Sequence, residues 1–294
     1  MNSSLNTRRT FLKTTLAGGL LASLPASVFG EACRKPSIKR KFSCSTINFA
    51  SLSLEQACER IAELGFDAVD IWGALGCRHL NQAANDLGVE GLKALLEKHR
   101  LKLGSVSLYG APLSSYAELV GQCGGCTLVQ GSRHRLKDSV TEDMKDFLES
   151  LKPQLELCEE HHSFLAIENH GSGDLLDSID TMKAFVDQNQ HPRLGIALAP
   201  YHVMNRGESV AEAIRICGSQ LLFIYFWTNE ADEKQMPGIG QTDVSDWFRA
   251  LDDIEYPHYI TPFMHHEPAP DRMAELHRMT RQYLDKTFEA GFLP

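Results

Sequence analysis

The sequence predicts a single (β/α)8 barrel, and three observations support this prediction. After residue 38, short apolar runs alternate with amphipathic stretches eight times, which matches such a barrel in the number and length of its units. Residues 46–49, after the first run, lack the glycine-rich loop that usually follows the first strand of a dinucleotide-binding open sheet. No linker, low-complexity tract or repeat divides the chain, so we expect one barrel domain over residues 38–294.

The predicted strands are short apolar runs that lead into polar or aromatic side chains. This pattern is typical of buried parallel strands, which carry hydrophobic residues on both faces. The eight strands are predicted at residues 42–47, 68–72, 101–109, 127–130, 164–171, 194–198, 221–227 and 259–264.

The helices between the strands are indicated by their caps and by apolar residues at helical spacing. Ser53 and Gln56 form a capping box, and Gly65 ends the helix that follows. Ser139 begins a long helix, in which Pro153 predicts a kink or a break. Further helices are predicted at 89–99, 114–123, 179–186, 244–251 and 273–288, and after position 209.

Residues 1–32 are predicted to be a signal peptide that does not belong to the fold. Residues 7–13, TRRTFLK, resemble a twin-arginine export signal, and an apolar run follows at 14–24. That run is shorter than the roughly 20 residues that span a bilayer, so we expect no stable membrane insertion after the signal is removed. Cleavage is expected between Ala26 and Cys33, and lipidation of Cys33 is the less favoured alternative because Glu31 is charged. We expect a periplasmic or otherwise exported protein.

The charge of the chain disfavours nucleic acid and anionic lipid as partners. The formal net charge is −9, and the first 30 residues contribute three basic side chains and no acid, which leaves −12 for the remainder. Such a surface repels polyanions. The oligomeric state is left open by the sequence.

Seven cysteines lie beyond Cys33, in a chain whose predicted destination is oxidising. Cys123 and Cys126 have the spacing of a redox or metal-binding pair, but no second pair exists and the flanking residues are not thioredoxin-like. We therefore expect small buried thiols or one local disulfide.

The candidate site residues follow the predicted strands, because a barrel carries its reactive groups at the carboxyl ends of its strands. Glu168 is the first candidate, as a base or a metal ligand, and His202 is the second, as an acid or a substrate contact. Aromatic and hydrogen-bonding side chains together suit a sugar, whose C–H faces stack on rings and whose hydroxyls need partners. The candidate substrate contacts are Trp72, Asn169, His170, Tyr225, Trp227 and His265.

Each of these residues also has a structural interpretation. Glu168 alone is compatible with a surface glutamate at a strand end, and Asp70 with a cap for the next turn. Trp72, Tyr225 and Trp227 are individually as compatible with packing at the barrel rim as with substrate stacking. The functional interpretation rests on the occurrence of polar clusters at several strand ends.

Three motifs, in order, resemble the xylose isomerase-like barrels that are grouped as sugar phosphate isomerases and epimerases. They are FDAVDIW at 66–72, LAIENH at 165–170, and LGI at 194–196 leading to PYH at 200–202. The resemblance covers residues 42–288. It implies a divalent metal held by a Glu on the fifth strand, an Asp on the sixth, a His on the seventh and a Glu on the eighth, with carboxylates moving a proton through an enediolate.

Carried over by position, the resemblance leaves one clear metal ligand. Glu168 matches the fifth-strand Glu, and His202 matches the histidine that follows the sixth-strand Asp and contacts substrate. Ala199, Tyr225 and Phe263 fall at or near the other three ligand positions. A rearranged shell of Glu168, His202 and His265 is then the metal site we predict, for Mn, Mg or Zn.

The sequence thus favours an exported isomerase, epimerase or related lyase that acts on a sugar or keto-sugar by proton transfer next to a carbonyl. The alternative is a metal-free carbohydrate-binding barrel or pseudoenzyme, which Ala199 and Phe263 support. An endonuclease, as found among related barrels, is disfavoured by the negative charge and the missing ligands.

Overall fold

The computed structural model describes residues 40–265 and 267–290. The predicted signal peptide, its cleavage site and Cys33 lie outside the described residues, as does His266. These predictions therefore remain expectations from the sequence.

Within the described ranges, eight parallel strands pair in sequence order and close into a barrel. The last strand pairs with the first through Lys41 opposite Tyr259 and Phe42 opposite Ile260. The strands are β1 (Lys41–Ser45), β2 (Ala68–Trp72), β3 (Lys102–Ser107), β4 (Thr127–Gly131), β5 (Phe164–Glu168), β6 (Leu194–Leu198), β7 (Leu221–Phe226) and β8 (Tyr259–Pro262). The predicted (β/α)8 fold is confirmed.

Helices follow each strand and cover the outside of the barrel. They are α1 (Leu54–Glu63), α2 (His79–Asn81), α3 (Gly88–His99), α4 (Ala117–Gln122), α5 (Val140–Ser150), α6 (Lys152–Glu160), α7 (Ile179–Gln188), α8 (Pro200–Asn205), α9 (Val210–Cys217), α10 (Ser245–Asp253) and α11 (Pro270–Ala290). None of the described helices is long and apolar enough to cross a membrane.

Two local predictions about the helices are confirmed. The Ser53 hydroxyl accepts a hydrogen bond from the backbone of Gln56, whose side chain bonds back to Ser53, so the capping box is complete. The long helix predicted from Ser139 is broken into α5 and α6 at Leu151, with Pro153 in the first turn of α6. Proline is tolerated there because the first N–H groups of a helix have no intrahelical partner.

Several predicted strands extend too far. The first strand was predicted to reach residue 47, yet residues Thr46–Phe49 form a 3-10 turn, and the eighth ends at Pro262 instead of 264. All four residues of that turn are buried. An apolar run therefore continues past the sheet edge, and periodicity alone does not distinguish a buried turn from a buried strand. The short helix α8 was not predicted from the sequence.

Two buried clusters divide the core. The larger lies between the strands and the helices, and the smaller lies inside the barrel. The inner cluster includes Ile47, Trp72, Tyr225, Trp227 and Phe263. All seven cysteines that the structure describes are free thiols, which agrees with the buried-thiol interpretation.

Candidate active site

A cavity of about 270 Å³ opens at the carboxyl ends of the strands. Its volume is near the lower end of the range for small-molecule sites, about 300–1,000 Å³, and suits one sugar ring. Side chains at or just past the ends of β2, β3, β5, β6, β7 and β8 line it: Trp72, Ala74, Leu75, Tyr109, Glu168, His170, His202, Tyr225, Trp227, Phe263 and His265.

The cavity brings together seven of the eight residues that the sequence nominates, namely Trp72, Glu168, His170, His202, Tyr225, Trp227 and His265. The exception is Asn169. Its amide is buried, donates to the Ala199 carbonyl at 3.2 Å and accepts from the Ala199 N–H at 2.7 Å. Asn169 therefore joins the end of β5 to the start of α8 and is not a wall of the cavity.

A larger cavity, about 500 Å³, lies at the opposite end of the barrel. It is lined by residues at the starts of strands, including Lys102, Thr127, Phe164 and Tyr259. We place the candidate active site at the other end, because the active sites of such barrels are built at the carboxyl ends of the strands and because Glu168 is there.

Aromatic rings form most of the cavity wall. Trp72 stacks on Tyr109 with ring centroids 4.7 Å apart and on Phe263 at 5.6 Å. Trp227 stacks on Tyr201 at 4.3 Å and meets Phe263 edge to face at 5.3 Å. Stacked and edge-on rings hold one another in place, so the wall is a rigid apolar surface with polar groups between its rings.

Glu168 is the last residue of β5, and its backbone is paired with Gly131 on β4 and Ala197 on β6. Only 6% of the residue is exposed. Burial raises the pKa of the carboxyl group to about 8, with smaller contributions from the charges of Asp70 and Asp174, while a hydrogen bond from Tyr109 acts in the opposite direction. Near neutral pH, both the acid and the carboxylate of Glu168 are therefore accessible.

His202 lines the same cavity from α8, which Pro200 begins in the position where a helix needs no N–H donor. Burial, followed by the charges of His170 and His265, lowers the pKa of His202 to about 3. Its imidazole is accordingly neutral at physiological pH and is able to donate one hydrogen bond and accept another.

His170 lies against His202 with ring centroids 4.3 Å apart. Its Nδ1 is 3.1 Å from Asp174, which also lies 2.7 Å from Nδ1 of His134. A carboxylate on Nδ1 orients a histidine ring and leaves its other nitrogen for a ligand. His170 is thus held in place by the loop that follows β5.

Asp70, on β2, is fully buried beneath the cavity. Among the described residues, four side chains donate hydrogen bonds to its carboxylate at 2.6–2.9 Å: Ser45, Trp72, Ser105 and Ser107. Burial nevertheless raises the pKa of Asp70, and these four hydrogen bonds act against that rise. The indole N–H of Trp72 is fixed by this contact, so Asp70 orients one ring of the cavity wall.

Tyr109 is a cavity residue outside the set of substrate contacts predicted above. It was predicted as the last residue of the third strand, but β3 ends at Ser107 and Tyr109 has a φ of 33°. A bulky residue in this left-handed region is strained, and such strain is concentrated at functional sites. Its hydroxyl donates to the Tyr225 hydroxyl at 3.1 Å. The position of a tyrosine just past a strand end was the available signal.

The residues present do not fit the metal of the resemblance. Ala199, Tyr225 and Phe263 are all buried in the aromatic cluster inside the barrel. The described residues contain no group of three or more His, Cys, Asp and Glu side chains arranged to hold a metal ion. Glu168, His202 and His265 share the cavity wall, but they do not form the predicted three-ligand shell in this structure.

Comparison with known proteins agrees with the fold. A family model described as "Xylose isomerase-like TIM barrel" matches residues 58–283. No curated protein sequence matches the chain significantly.

Solved structures similar to this chain include 3-keto-D-glucoside 4-epimerase, YcjR, from E. coli. It is 17% identical, with a TM-score of 0.65, over 83% of this chain and 100% of that one. D-psicose 3-epimerase, determined in the presence of D-fructose, is 15% identical, with a TM-score of 0.69, over 84% and 99%. IOLI protein with a bound zinc atom is 14% identical, with a TM-score of 0.69, over 86% and 100%. At these identities the similarity establishes the fold.

Proposed function

The chain belongs to the xylose isomerase-like TIM barrel family, and on that premise we propose that it is a sugar isomerase or epimerase-like enzyme that moves a proton next to the carbonyl group of a sugar or keto-sugar. Two of the similar structures are epimerases of such compounds. The cavity of this chain supports the proposal through its own residues.

The observation that carries the proposal is the state of Glu168. A carboxyl group at the wall of an apolar cavity, with its pKa raised to about 8 mainly by burial, is suited to general acid–base catalysis at neutral pH. As a carboxylate, Glu168 removes the proton from the carbon next to the carbonyl. As the resulting acid, it returns that proton on the same face, to the neighbouring carbon of the enediolate; protonation of the opposite face of the original carbon requires a second acid.

The remaining polar groups of the cavity bind and orient the sugar. Neutral His202 is available to a hydroxyl or carbonyl oxygen, and His170 and His265 lie beside it. The Tyr109 hydroxyl is a further donor close to Glu168. Hydrogen-bond donors that are already oriented stabilise the negative charge that develops on the carbonyl oxygen.

The substrate of this proposal is uncharged. No lysine or arginine is among the described residues that line the cavity, and Glu168 adds negative charge when ionised. A phosphate group is normally held by arginine, lysine or a helix N-terminus. We therefore expect free sugars or glycosides, and not sugar phosphates, to bind.

The test is incorporation of deuterium from D₂O into keto-hexoses, followed by NMR. We expect wild-type protein to catalyse exchange at the carbon next to the carbonyl, and Glu168→Gln to reduce the rate by a factor of about 10²–10⁴. Sugar affinity, measured by calorimetry, should change little in this variant. Equal exchange by the two proteins would remove Glu168 from the mechanism.

A second candidate function is sugar binding without turnover. Ala199, Tyr225 and Phe263, in place of three family ligands, favour it. Sugar affinity in the micromolar to millimolar range with no exchange above the uncatalysed rate, in wild-type protein, would support a binding protein over an enzyme. Metal analysis of the same preparation establishes whether a divalent ion accompanies the protein.

We further propose that the protein is exported by the twin-arginine pathway. Arg8 and Arg9, followed by Phe11, Leu12 and Lys13, support this. Replacing both arginines by lysine should retain the unprocessed chain in the cytoplasm, as measured by fractionation. Unchanged export would contradict this route.

A further inference from the structure

A second cavity, which we call the outer cavity, lies beside the candidate active site at the carboxyl ends of β3 and β4 and measures about 500 Å³. Tyr109 lines both cavities. Gly131 pairs with Glu168 across β4 and β5, and the backbone N–H of Ser132 donates to the Glu168 carbonyl at 3.3 Å. The outer cavity thus begins next to the residue to which we assign proton transfer. It is lined by Tyr109, Gly110, Ala111, Gln130, Gly131, Ser132, Arg133 and Phe147.

The outer cavity combines aromatic rings with polar groups, as sugar-binding sites do. The Gln130 amide donates to the side-chain oxygen of Gln154 at 3.0 Å, which fixes its orientation. The Ser132 hydroxyl accepts a hydrogen bond from the Leu176 N–H at 3.5 Å, so its own proton remains available for a ligand. The cavity therefore offers oriented partners for the hydroxyl groups of a sugar ring.

Arg133 is held at the outer cavity by its neighbours, and its charge is balanced. The guanidinium donates to the Asp143 carboxylate at 2.6 Å and lies over the Phe147 ring, 5.6 Å from its centroid. It also donates to the backbone carbonyls of Asp143 and His134. A guanidinium has five N–H donors, so these three hydrogen bonds leave donors for a ligand. Because Asp143 cancels its charge, an uncharged ring with hydroxyl groups suits this pocket better than an anion.

Two glycines leave open space in the outer cavity. Apart from its chain neighbours, a Cβ added at Gly110 or at Gly131 would meet no atom within 4 Å. Gly110 has a φ of 98°, in the region that favours glycine, and it follows Tyr109, whose φ is also positive. The chain therefore turns sharply after β3, and Tyr109 lies between the two cavities. A bound molecule can extend from one cavity into the other past this side chain.

We propose that the outer cavity binds a second sugar ring, so that the substrate is a glycoside. The reacting ring lies beside Glu168 in the active-site cavity, whose volume of about 270 Å³ suits a single ring. The second ring lies among Gln130, Ser132 and Arg133. This inference names the substrate class of the proposed enzyme and rests on that proposed function.

The experiment is titration calorimetry with D-fructose and with three disaccharides that carry a glucosyl group on different hydroxyls of fructose, namely turanose, maltulose and isomaltulose. We expect wild-type protein to bind at least one disaccharide about tenfold more tightly than fructose, because the second ring adds hydrogen bonds and contact with aromatic side chains. A wild-type protein that binds none of the three more tightly than fructose would overturn the proposal.

Gln130 and Gln154 provide matched variants. Gln130→Ala and Gln154→Ala delete the same hydrogen bond between the two amides, but of these two residues only Gln130 lines the outer cavity. We expect Gln130→Ala to lower the ratio of disaccharide affinity to fructose affinity by a factor of about 3–10, since one hydrogen bond to the second ring is lost. Gln154→Ala should keep the ratio of wild type.

Ala111→Phe supplies the same test if Gln130→Ala does not fold, because its ring occupies the outer cavity and should bring the ratio close to one. Equal ratios in Gln130→Ala, Ala111→Phe and Gln154→Ala would contradict a second ring at this place. Calorimetry does not measure turnover, so such a result leaves the proposed enzyme activity untouched. Absence of deuterium exchange, with the preference for a disaccharide retained, removes the activity and leaves the second binding site in place.

Discussion

Asp70 on β2 and Glu168 at the end of β5 are both buried carboxyl groups inside the same barrel, yet their surroundings differ. Among the described residues, the carboxylate of Asp70 accepts four side-chain hydrogen bonds, and Asp70 does not line the candidate active-site cavity. Glu168 lines the cavity, and Tyr109 is the hydrogen-bond partner that moderates its pKa.

The difference separates a carboxylate that organises the structure from one that is available for chemistry. Buried polar groups are normally satisfied, and an under-satisfied one in a cavity is a candidate functional group. Asp70 holds Trp72, Ser105 and Ser107 in place, so it stabilises the β2–β3 side of the barrel. Glu168 is costly to ionise, and that cost is what places its pKa near neutrality.

The largest expected effect is on the pH dependence of stability. The pKa of Glu168 is about 8 in the folded chain, against a usual 4.5, so the folded state binds this proton more tightly than the unfolded state. The stabilisation that this proton gives the folded state is complete below about pH 4.5 and is lost as the pH rises to about 8. As the pH rises through that window, we expect the free energy of unfolding of Glu168→Gln to rise relative to that of wild type by up to roughly 5 kcal/mol.

Chemical denaturation at several pH values measures this difference, and the variant shares every other titrating group with wild type. A constant difference between the two proteins from pH 4 to pH 9 would contradict the raised pKa of Glu168.

The second effect is on stability at fixed pH. Asp70→Ala leaves three buried hydroxyls and the indole N–H of Trp72 without their acceptor, and each such group costs about 1–3 kcal/mol. We expect the free energy of unfolding to fall by about 3–5 kcal/mol. The free energy of unfolding of Glu168→Gln, measured alongside, should not fall at all. A loss in both variants of similar size would remove the distinction between a structural and a functional carboxylate.

The smallest effect compares two tryptophans of the cavity wall. Trp72 Nε1 donates to Asp70 at 2.6 Å, whereas Trp227 Nε1 is buried with no hydrogen-bond partner within the described part of the chain. Trp72→Phe should therefore cost about 1–2 kcal/mol more stability than Trp227→Phe, because only the first deletes a hydrogen bond to a carboxylate. Thermal unfolding of both variants, with circular dichroism to verify folding, tests this. Equal losses of stability in the two variants would indicate that the hydrogen bond from the Trp72 indole to the Asp70 carboxylate does not stabilise the fold.

Much of the fold was predictable because local chemistry determines it. Eight apolar runs became eight strands, Ser53 became a capped helix start and Pro153 a helix break. The ends of the strands were less predictable, since Ile47 and its neighbours are buried in a turn that has the same hydrophobic pattern as a strand.

The site was predictable in part. Residues that follow strands converge in any barrel, so Glu168, His202 and most of the aromatic candidates were found from their positions alone. Asn169 was nominated on the same ground, but its amide bonds to the backbone of Ala199. The position of a residue in the sequence places its side chain near the carboxyl ends of the strands, but it does not determine which hydrogen-bond partner that side chain has.

The sequence by itself determined the barrel, the export signal as an expectation, and Glu168 at the end of the fifth strand. Only the tertiary structure decided that Asp70 accepts hydrogen bonds from side chains on three strands, and that hydrogen bonds through Ser107 and Tyr225 connect it to Tyr109 at the cavity. The physical reason is that hydrogen bonds and desolvation depend on atoms brought together across the barrel. Ser45, Asp70, Ser107 and Tyr225 are far apart in the chain and within 3 Å of their partners in space.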